Sequence, residues 1–361
     1  MVEYSYIHIP FCRQKCKYCA FVSYVNLNFI DEYIKALVFE IKNTYKNEPQ
    51  KTVYFGGGTP SILSYGKIAE ILNCFKFEKN PEITVEINPE NANREYLKGL
   101  FDIGVNRISL GIQTFDDEIL KNIGRRHSSK TALRVIEELK NVGFKNISID
   151  LMYGLPNQTI KKWEDDLKIA KSLDIEHLST YGLKIEDKTY FAKFPPKKLP
   201  NEDIQAKMYE ILSDEMKNFY HYEISNFAKN EDFISKHNIN YWNLNPYYGF
   251  GASASGFVNN KRYKNQDNLK KYILNPILKE DEIELNREDI LEEFIFLGFR
   301  KFEGVKTLDI KEKFGVDFEV EYKNILEKYE KTGHIEKTIE GFRLTKSGIL
   351  ISNYILCDFI K

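Results

Sequence analysis

The stretch "FCRQKCKYCAF", residues 11–21, sets Cys12, Cys16 and Cys19 in one short C-x3-C-x2-C loop. It follows directly on "YSYIHI", whose β-branched and aromatic residues read as a strand. Three thiols this close read as a metal site, and the choice of metal is narrow. Structural zinc takes four protein ligands, normally as two separated pairs, and the chain has no second pair. Iron–sulfur ligation by thiolates fits better. With three of four irons held by protein, the last is open to a small molecule. The other two cysteines, Cys74 and Cys357, fall in apolar helical patterns and are expected to be buried small hydrophobes.

The first half of the chain alternates two periods. Strand-like runs begin near residues 4, 52, 82, 106, 146 and 177, and helical patterns such as "FIDEYIKALVFEIKNTY" and "KTALRVIEELKNVG" separate them. Strand–helix alternation at this spacing predicts an α/β fold with a parallel sheet. Six units are visible before "FPPKKLP", short of the eight that close a barrel. The expected architecture is therefore a partial, splayed (β/α)6 barrel over residues 1–195. Residues 196–285 read as a linker helix (Glu202 to Phe219) and an irregular, aromatic-rich segment. Residues 286–361 read as three helices and a hairpin turning at Glu340-Gly341, a winged-helix-like domain within a smaller C-terminal α+β region.

Composition enters mainly by exclusion. A net charge of −1 with 29% charged residues supplies no basic footprint for nucleic acid. No apolar run approaches the roughly 18 residues of a membrane span, and the strand starting at Tyr4 leaves no segment that reads as a leader. Five cysteines with three clustered argue for a reducing compartment, so the expected location is the cytoplasm.

In a parallel barrel, ligands gather at the C-terminal ends of the strands. The runs there are "YFGGGTP", "EINP", "GIQTF", "DLMYGLP" and "STYGL". The triplet Gly56, Gly57 and Gly58 lets backbone approach a ligand closely. Glu86, Gln113 and Asp150 are polar at three successive strand ends, and Arg125 follows in "GRRH". Taken singly, such residues are turns, caps and surface charges; together they share one barrel end with the cysteines.

"YIHIPFCRQKCKYCAF", "GGGTPS", "VEINP", "NRISLGIQTF" and "DLMYGLP" together resemble one branch of the radical SAM (S-adenosylmethionine) superfamily. That branch contains the oxygen-independent coproporphyrinogen III oxidases and the HemW-type heme chaperones. The resemblance runs from residue 4 to about 260. It implies a [4Fe–4S] cluster on Cys12, Cys16 and Cys19, and SAM contacted by Tyr6, Tyr18, Gly57, Gly58, Thr59, Glu86, Gln113, Arg125 and Asp150. The oxidases carry a fourth cysteine where this chain has Phe21, and an extension before the first strand that helps enclose the substrate. This chain starts three residues before its strand. "HNINYW" matches the H-N-x-x-Y-W motif of the chaperones, which implies heme contacts at His237, Asn238, Tyr241 and Trp242. Tyr247, Tyr248 and Phe250 are expected to add flat apolar surface. One departure is Ser255, where relatives usually have histidine.

The resulting expectation is a heme chaperone acting within porphyrin metabolism, rather than an enzyme. It would bind cluster, SAM and heme and pass heme to apoproteins, respiratory ones first. A homodimer is compatible with it. The competing reading is oxidative decarboxylation of coproporphyrinogen III.

Overall fold

The six strand-like runs become β1 (Tyr4–Ile9), β2 (Gln50–Gly57), β3 (Phe77–Ile87), β4 (Arg107–Gln113), β5 (Ile147–Tyr153) and β6 (His177–Gly182). Each pairs in parallel with the next. Parallel neighbours require crossover connections, and helices supply them. These are α1 (Ile30–Thr44), α2 (Tyr65–Leu72), α3 (Arg94–Asp102), α4 (Asp117–Ile123), α5 (Ser129–Val142) and α6 (Ile160–Ser172). Ser64, Asn93, Asp116, Ser128 and Thr159 each accept a backbone hydrogen bond at the start of α2 to α6, which fixes where those helices begin.

The computed structural model describes residues 1–360 and separates them into two compact units. The first is Met1–Met216 with Pro246–Ile283; the second is Lys217–Asn245 with the chain from Glu284 onward. The first unit also contains α7 (Tyr190–Lys193) and α8 (Glu202–Glu215), the latter ending short of the expected Phe219.

Strands covered by apolar side chains on both faces would read as continuous apolar runs. Here they alternate. Ile7, Val53, Phe55, Val85, Ile108, Leu110, Ile149 and Leu178 form one face and are fully buried. The opposite face carries Tyr6, His8, Tyr54, Thr84, Glu86, Arg107, Ser109, Ser148, Asp150, His177 and Ser179. The sheet thus spends its apolar face on the helices and keeps a polar one inside the splayed barrel.

The second unit opens with the antiparallel hairpin β7 (Tyr220–Glu223) and β8 (Asn226–Ala228), then α9 (Lys236–Trp242). The chain next returns to the first unit as β9 (Tyr248–Phe250), parallel to β1 on the side away from β2. This corrects the expected irregular segment. It also removes Tyr248 and Phe250 from any ligand surface, since they are only 4% and 1% exposed. Their rings pack against Tyr45 and Phe75. The strands β10 (Ser255–Val258), β11 (Lys261–Asn265) and β12 (Lys279–Glu284) form a three-stranded sheet, with α10 (Leu269–Leu274) between the last two. Ser255 is an exposed residue at the start of β10.

One buried carboxylate holds this return segment. Glu40 of α1 is fully buried and accepts from the Gly251 amide (2.8 Å), Tyr272 Oη (2.6 Å), Asn265 Nδ2 (2.8 Å) and Lys279 Nζ (3.0 Å). A buried charge is tolerated when it is paired and its lone pairs are filled, as here.

The remainder of the second unit runs from α11 (Arg287–Gly298) through β13 (Val305–Lys306), α12 (Thr307–Phe314), α13 (Phe318–Glu321) and α14 (Lys323–Lys331). The hairpin of β14 (Ile335–Lys337) and β15 (Gly341–Leu344) follows, with β13 against β15. Phe299, Phe318, Tyr322 and Phe359 make its aromatic centre. Cys357 is exposed and Cys74 only partly buried, so neither is the core hydrophobe its helical pattern suggested. No described helix is long and apolar enough to cross a membrane.

Glu40→Ala removes the shared acceptor of the Gly251 amide and Tyr272 Oη and leaves Lys279 without its carboxylate. It should destabilise the first unit by about 3–5 kcal/mol, read as a lower urea midpoint, with faster amide hydrogen exchange at Gly251.

Candidate cofactor site

The cysteine loop leaves β1 at its C-terminal end and is closed at its base. Cys12 N donates to Tyr24 O (3.0 Å) and Tyr24 N to Pro10 O (2.7 Å). Its far side is tied to the end of α4, where Lys17 N donates to Ile123 O (3.0 Å) and Gln14 Nε2 to Gly124 O (3.2 Å). Phe191 N of α7 donates to Lys17 O (3.0 Å). The loop is therefore fastened on three sides before any metal is considered.

The glycine triplet lies against β1 and its loop, and the space explains the residue type. A Cβ on Gly57 would come within 2.6 Å of the His8 ring, at φ +109°, where an L side chain is strained as well. On Gly58 it would meet the Phe11 carbonyl at 2.8 Å. On Gly56 it would come within 2.9 Å of the Tyr6 ring and 3.1 Å of the Tyr54 ring. The bare backbone lets β2 close onto β1, with the Gly58 amide donating to Ile9 O (2.9 Å).

His8 was not among the expected site residues, yet it lies under this cradle. Its Nε2 is 3.1 Å from Val22 O, which can only accept, so Nε2 carries the proton and Nδ1 accepts from Tyr6 Oη at 3.1 Å. Burial pushes its pKa down to about 4, against the opposing pull of the Val22 carbonyl and Asp267, and the ring is neutral. "YIHIP" contained the residue; only the pairing of β1 with β2 set it against Gly57.

Cys12 and Cys16 are joined by a chain of polar side chains. Thr59, 3% exposed, lies 3.4 Å from Cys12 Sγ through its hydroxyl. Asn88 Nδ2 donates to that hydroxyl (3.1 Å), and Arg125 Nη2 donates to Asn88 Oδ1 (2.8 Å) and to Gly111 O (2.7 Å). Arg125 Nη1 reaches Cys16 Sγ at 3.7 Å. Burial alone would lower the Arg125 pKa, but Tyr18, Cys16 and Glu90 more than offset it and keep the guanidinium charged. Asn88 is a second residue missed by the sequence reading, though it stands in "EINP" at a strand end. A small cleft borders Cys16, Thr59, Asn88, Glu90 and Arg125.

Burial raises the pKa of Cys12, and it pushes Cys19 up to about 11, with Cys16 and Cys12 adding to that rise. Thiols so placed keep their protons until a metal displaces them. Among the described residues no three His, Cys, Asp or Glu side chains converge on a single ion position. Thr59 and Arg125 give two of the three thiols of the loop a polar partner. Tyr18 packs against the apolar cluster of Ile119, Leu120, Ile123, Met152, Leu155, Leu183 and Phe191. Phe21, at the position of the oxidases' fourth cysteine, is exposed.

Deeper in the barrel, Tyr54 Oη donates to Glu86 Oε1 (2.8 Å) and Ser109 Oγ to Asp150 (3.0 Å). Burial pushes Glu86 up to about 7, with the nearby Asp150 adding to the rise. Asp150 is raised by burial, opposed by Ser109. Gln113 has a left-handed backbone (φ +65°), and its buried Oε1 has no hydrogen-bond partner among the described residues. An unfilled buried acceptor at the end of β4 is an expected trait of a residue waiting for a ligand. Thr59 and Arg125 thus stand against the cysteines and Gln113 closes β4, whereas Tyr6 and Asp150 lie in mid-strand, so Asp150 is not at the strand end expected for it.

The expected heme contacts lie in the second unit. His237 is 1% exposed and its Nε2 is 2.7 Å from Tyr241 Oη, one helical turn on. The Asn238 amide is capped by Ser235 Oγ (3.3 Å). The Arg300 guanidinium lies 4.4 Å over the Trp242 ring. The buried Trp242 Nε1 and both amide atoms of Asn240 lack partners among the described residues. His237 is a closed histidine as it stands; opening Nε2 requires Tyr241 to let go.

The family model of the radical SAM superfamily matches residues 6–170, and that of the HemN C-terminal domain matches residues 285–351. The chain is 39% identical to the heme chaperone HemW of Bacillus subtilis (strain 168), over 99% of this chain and 98% of that one. It is 40% identical to the heme chaperone HemW of Lactococcus lactis subsp. lactis (strain IL1403), over 99% and 97%. The solved coproporphyrinogen III oxidase (HemN) from Escherichia coli superimposes with a TM-score of 0.88 over 99% of this chain and 90% of that one. At 22% identity this last likeness speaks for the fold alone.

Glu86 generates a pH dependence with a definite sign. Its folded pKa of about 7 lies above the ordinary 4.5, so between those values the folded chain holds a proton that the unfolded chain has released. Stability therefore falls as pH rises through that window. Glu86→Gln should flatten the slope by roughly 1.4 kcal/mol per pH unit at most, measured by urea unfolding at pH 5, 6 and 7. A slope unchanged in the variant would contradict the assignment.

Proposed function

Because the chain belongs to the HemW family within the radical SAM superfamily, we propose that it is a heme chaperone, binding heme and delivering it to apoproteins, respiratory ones first, in the cytoplasm. The observation that carries this reading is identity of 39–40% running the whole length of the HemW proteins. The "HNINYW" motif and Phe21 in place of a fourth cysteine support the chaperone side of the branch over the oxidase side.

Cys12, Cys16 and Cys19 would hold a [4Fe–4S] cluster, and the fit rests on their shared loop and on the polar groups already facing two of the sulfurs. SAM would lie along the strand ends, where the unfilled Gln113 acceptor offers a polar contact. When bound, the cluster would supply an electron source and an open iron for the amino-acid end of SAM. Tyr6, Tyr18, Thr59, Glu86, Arg125 and Asp150 orient and enclose. The protonated Glu86 can donate as well as accept near neutral pH, which suits hydroxyl-bearing ligands. His8, neutral and doubly bonded, keeps the floor of the cradle rigid.

For heme, His237, Asn238, Tyr241 and Trp242 are the proposed contacts. Neutral imidazole is a common axial ligand of heme iron. The unpartnered buried atoms of Asn240 and Trp242 favour a polar guest or a rearrangement of this helix on loading.

In oxygen-free protein, heme titration followed by the Soret band should show saturable binding. His237→Ala should weaken it about tenfold or more, roughly 1.4 kcal/mol per tenfold. Stoichiometric conversion of coproporphyrinogen III to protoporphyrinogen would overturn the chaperone reading.

A further inference from the structure

Asn88 appears in none of the roles above, yet it is the link between two proposed cluster ligands. The polarity of its contacts is determined by its neighbour. Arginine only donates, so Asn88 must turn Oδ1 to Arg125 Nη2 (2.8 Å). Its Nδ2 then faces Thr59 Oγ1 (3.1 Å) and donates to it. Thr59 Oγ1 lies 3.4 Å from Cys12 Sγ, and toward a deprotonated, metal-ligating sulfur its hydroxyl proton is the donor of that pair. The other arm of Arg125 donates to Cys16 Sγ at 3.7 Å. The Asn88 backbone is pinned in turn, its amide donating to Ser61 Oγ at 3.2 Å.

We infer that Asn88 is a positioning residue that directs a hydrogen bond onto each of two cluster sulfurs, through Thr59 to Cys12 and through Arg125 to Cys16, and so raises the reduction potential of the cluster. The inference rests on the reading of the cysteine loop as a cluster site. Its physical basis is general: a donor to a ligating sulfur withdraws charge and favours the reduced, more negative form. Asn88 touches neither sulfur itself. Without it Thr59 can rotate its proton elsewhere, and Arg125 keeps only Gly111 O as a fixed acceptor on that nitrogen.

The test is a double-mutant cycle on the full chain, reconstituted without oxygen and titrated by spectroelectrochemistry. Asn88→Ala and Thr59→Val should each move the potential to lower values with four irons per chain retained and the circular dichroism unchanged. The double variant should move it by less than the sum, because one acts through the other. If Asn88→Ala does not hold its cluster, Asn88→Ser takes its place in the cycle. An unchanged potential, or shifts that simply add, overturns the inference while leaving the cluster reading intact. A wild-type chain that assembles no cluster overturns both.

Discussion

The site depends on a close approach that only missing side chains allow. Gly57 sits where a Cβ would strike the His8 ring, and Gly58 where it would strike the Phe11 carbonyl. That contact brings the end of β2 against the end of β1, and with it Thr59 against Cys12. Widening the gap by one methyl group would separate the cysteine loop from the polar chain running through Asn88 to Arg125. The loop's own ties to Tyr24 and Ile123 would survive, but they would hold thiols with no partner above them.

The alternation of the six strands serves the same end. Apolar residues on one face pack the helices, and the other face is free to be polar because the barrel is splayed rather than filled by layers of branched side chains. Polar groups inside then modify one another. Asp150 raises the cost of the Glu86 charge, while Tyr54 offsets part of it, and Ser109 does the same for the buried Asp150. The return of the chain as β9, held by Glu40, covers the free edge of β1. An uncovered parallel edge beside the cysteine loop would be an opening for unwanted pairing.

Much of the first unit was legible in the sequence because its signals are local. A strand followed by clustered thiols, a glycine triplet and polar strand ends each occupy a few consecutive residues, and parallel order puts all strand ends on one side. His8 and Asn88 were not legible for the opposite reason. Each looks like an ordinary strand or turn residue, and its importance comes from a neighbour about fifty or thirty-seven residues away. Tyr248 and Phe250 misled because aromatic content does not distinguish a ligand surface from an edge strand packed on Tyr45 and Phe75. Cys357 misled because an apolar helical pattern does not say which face is inward.

By itself the sequence determined the donor atoms and their order: three thiols on one loop, a carboxylate and an amide at the ends of β3 and β4, and a guanidinium after α4. Covalent spacing and the two-residue period of a strand settle such things without reference to the rest of the chain. Tertiary structure alone decided the direction of the hydrogen bonds and the protonation of the groups that make them. Those follow from which partner can only donate, which can only accept, and how much water burial removes, and none of the three exists until the strands are side by side.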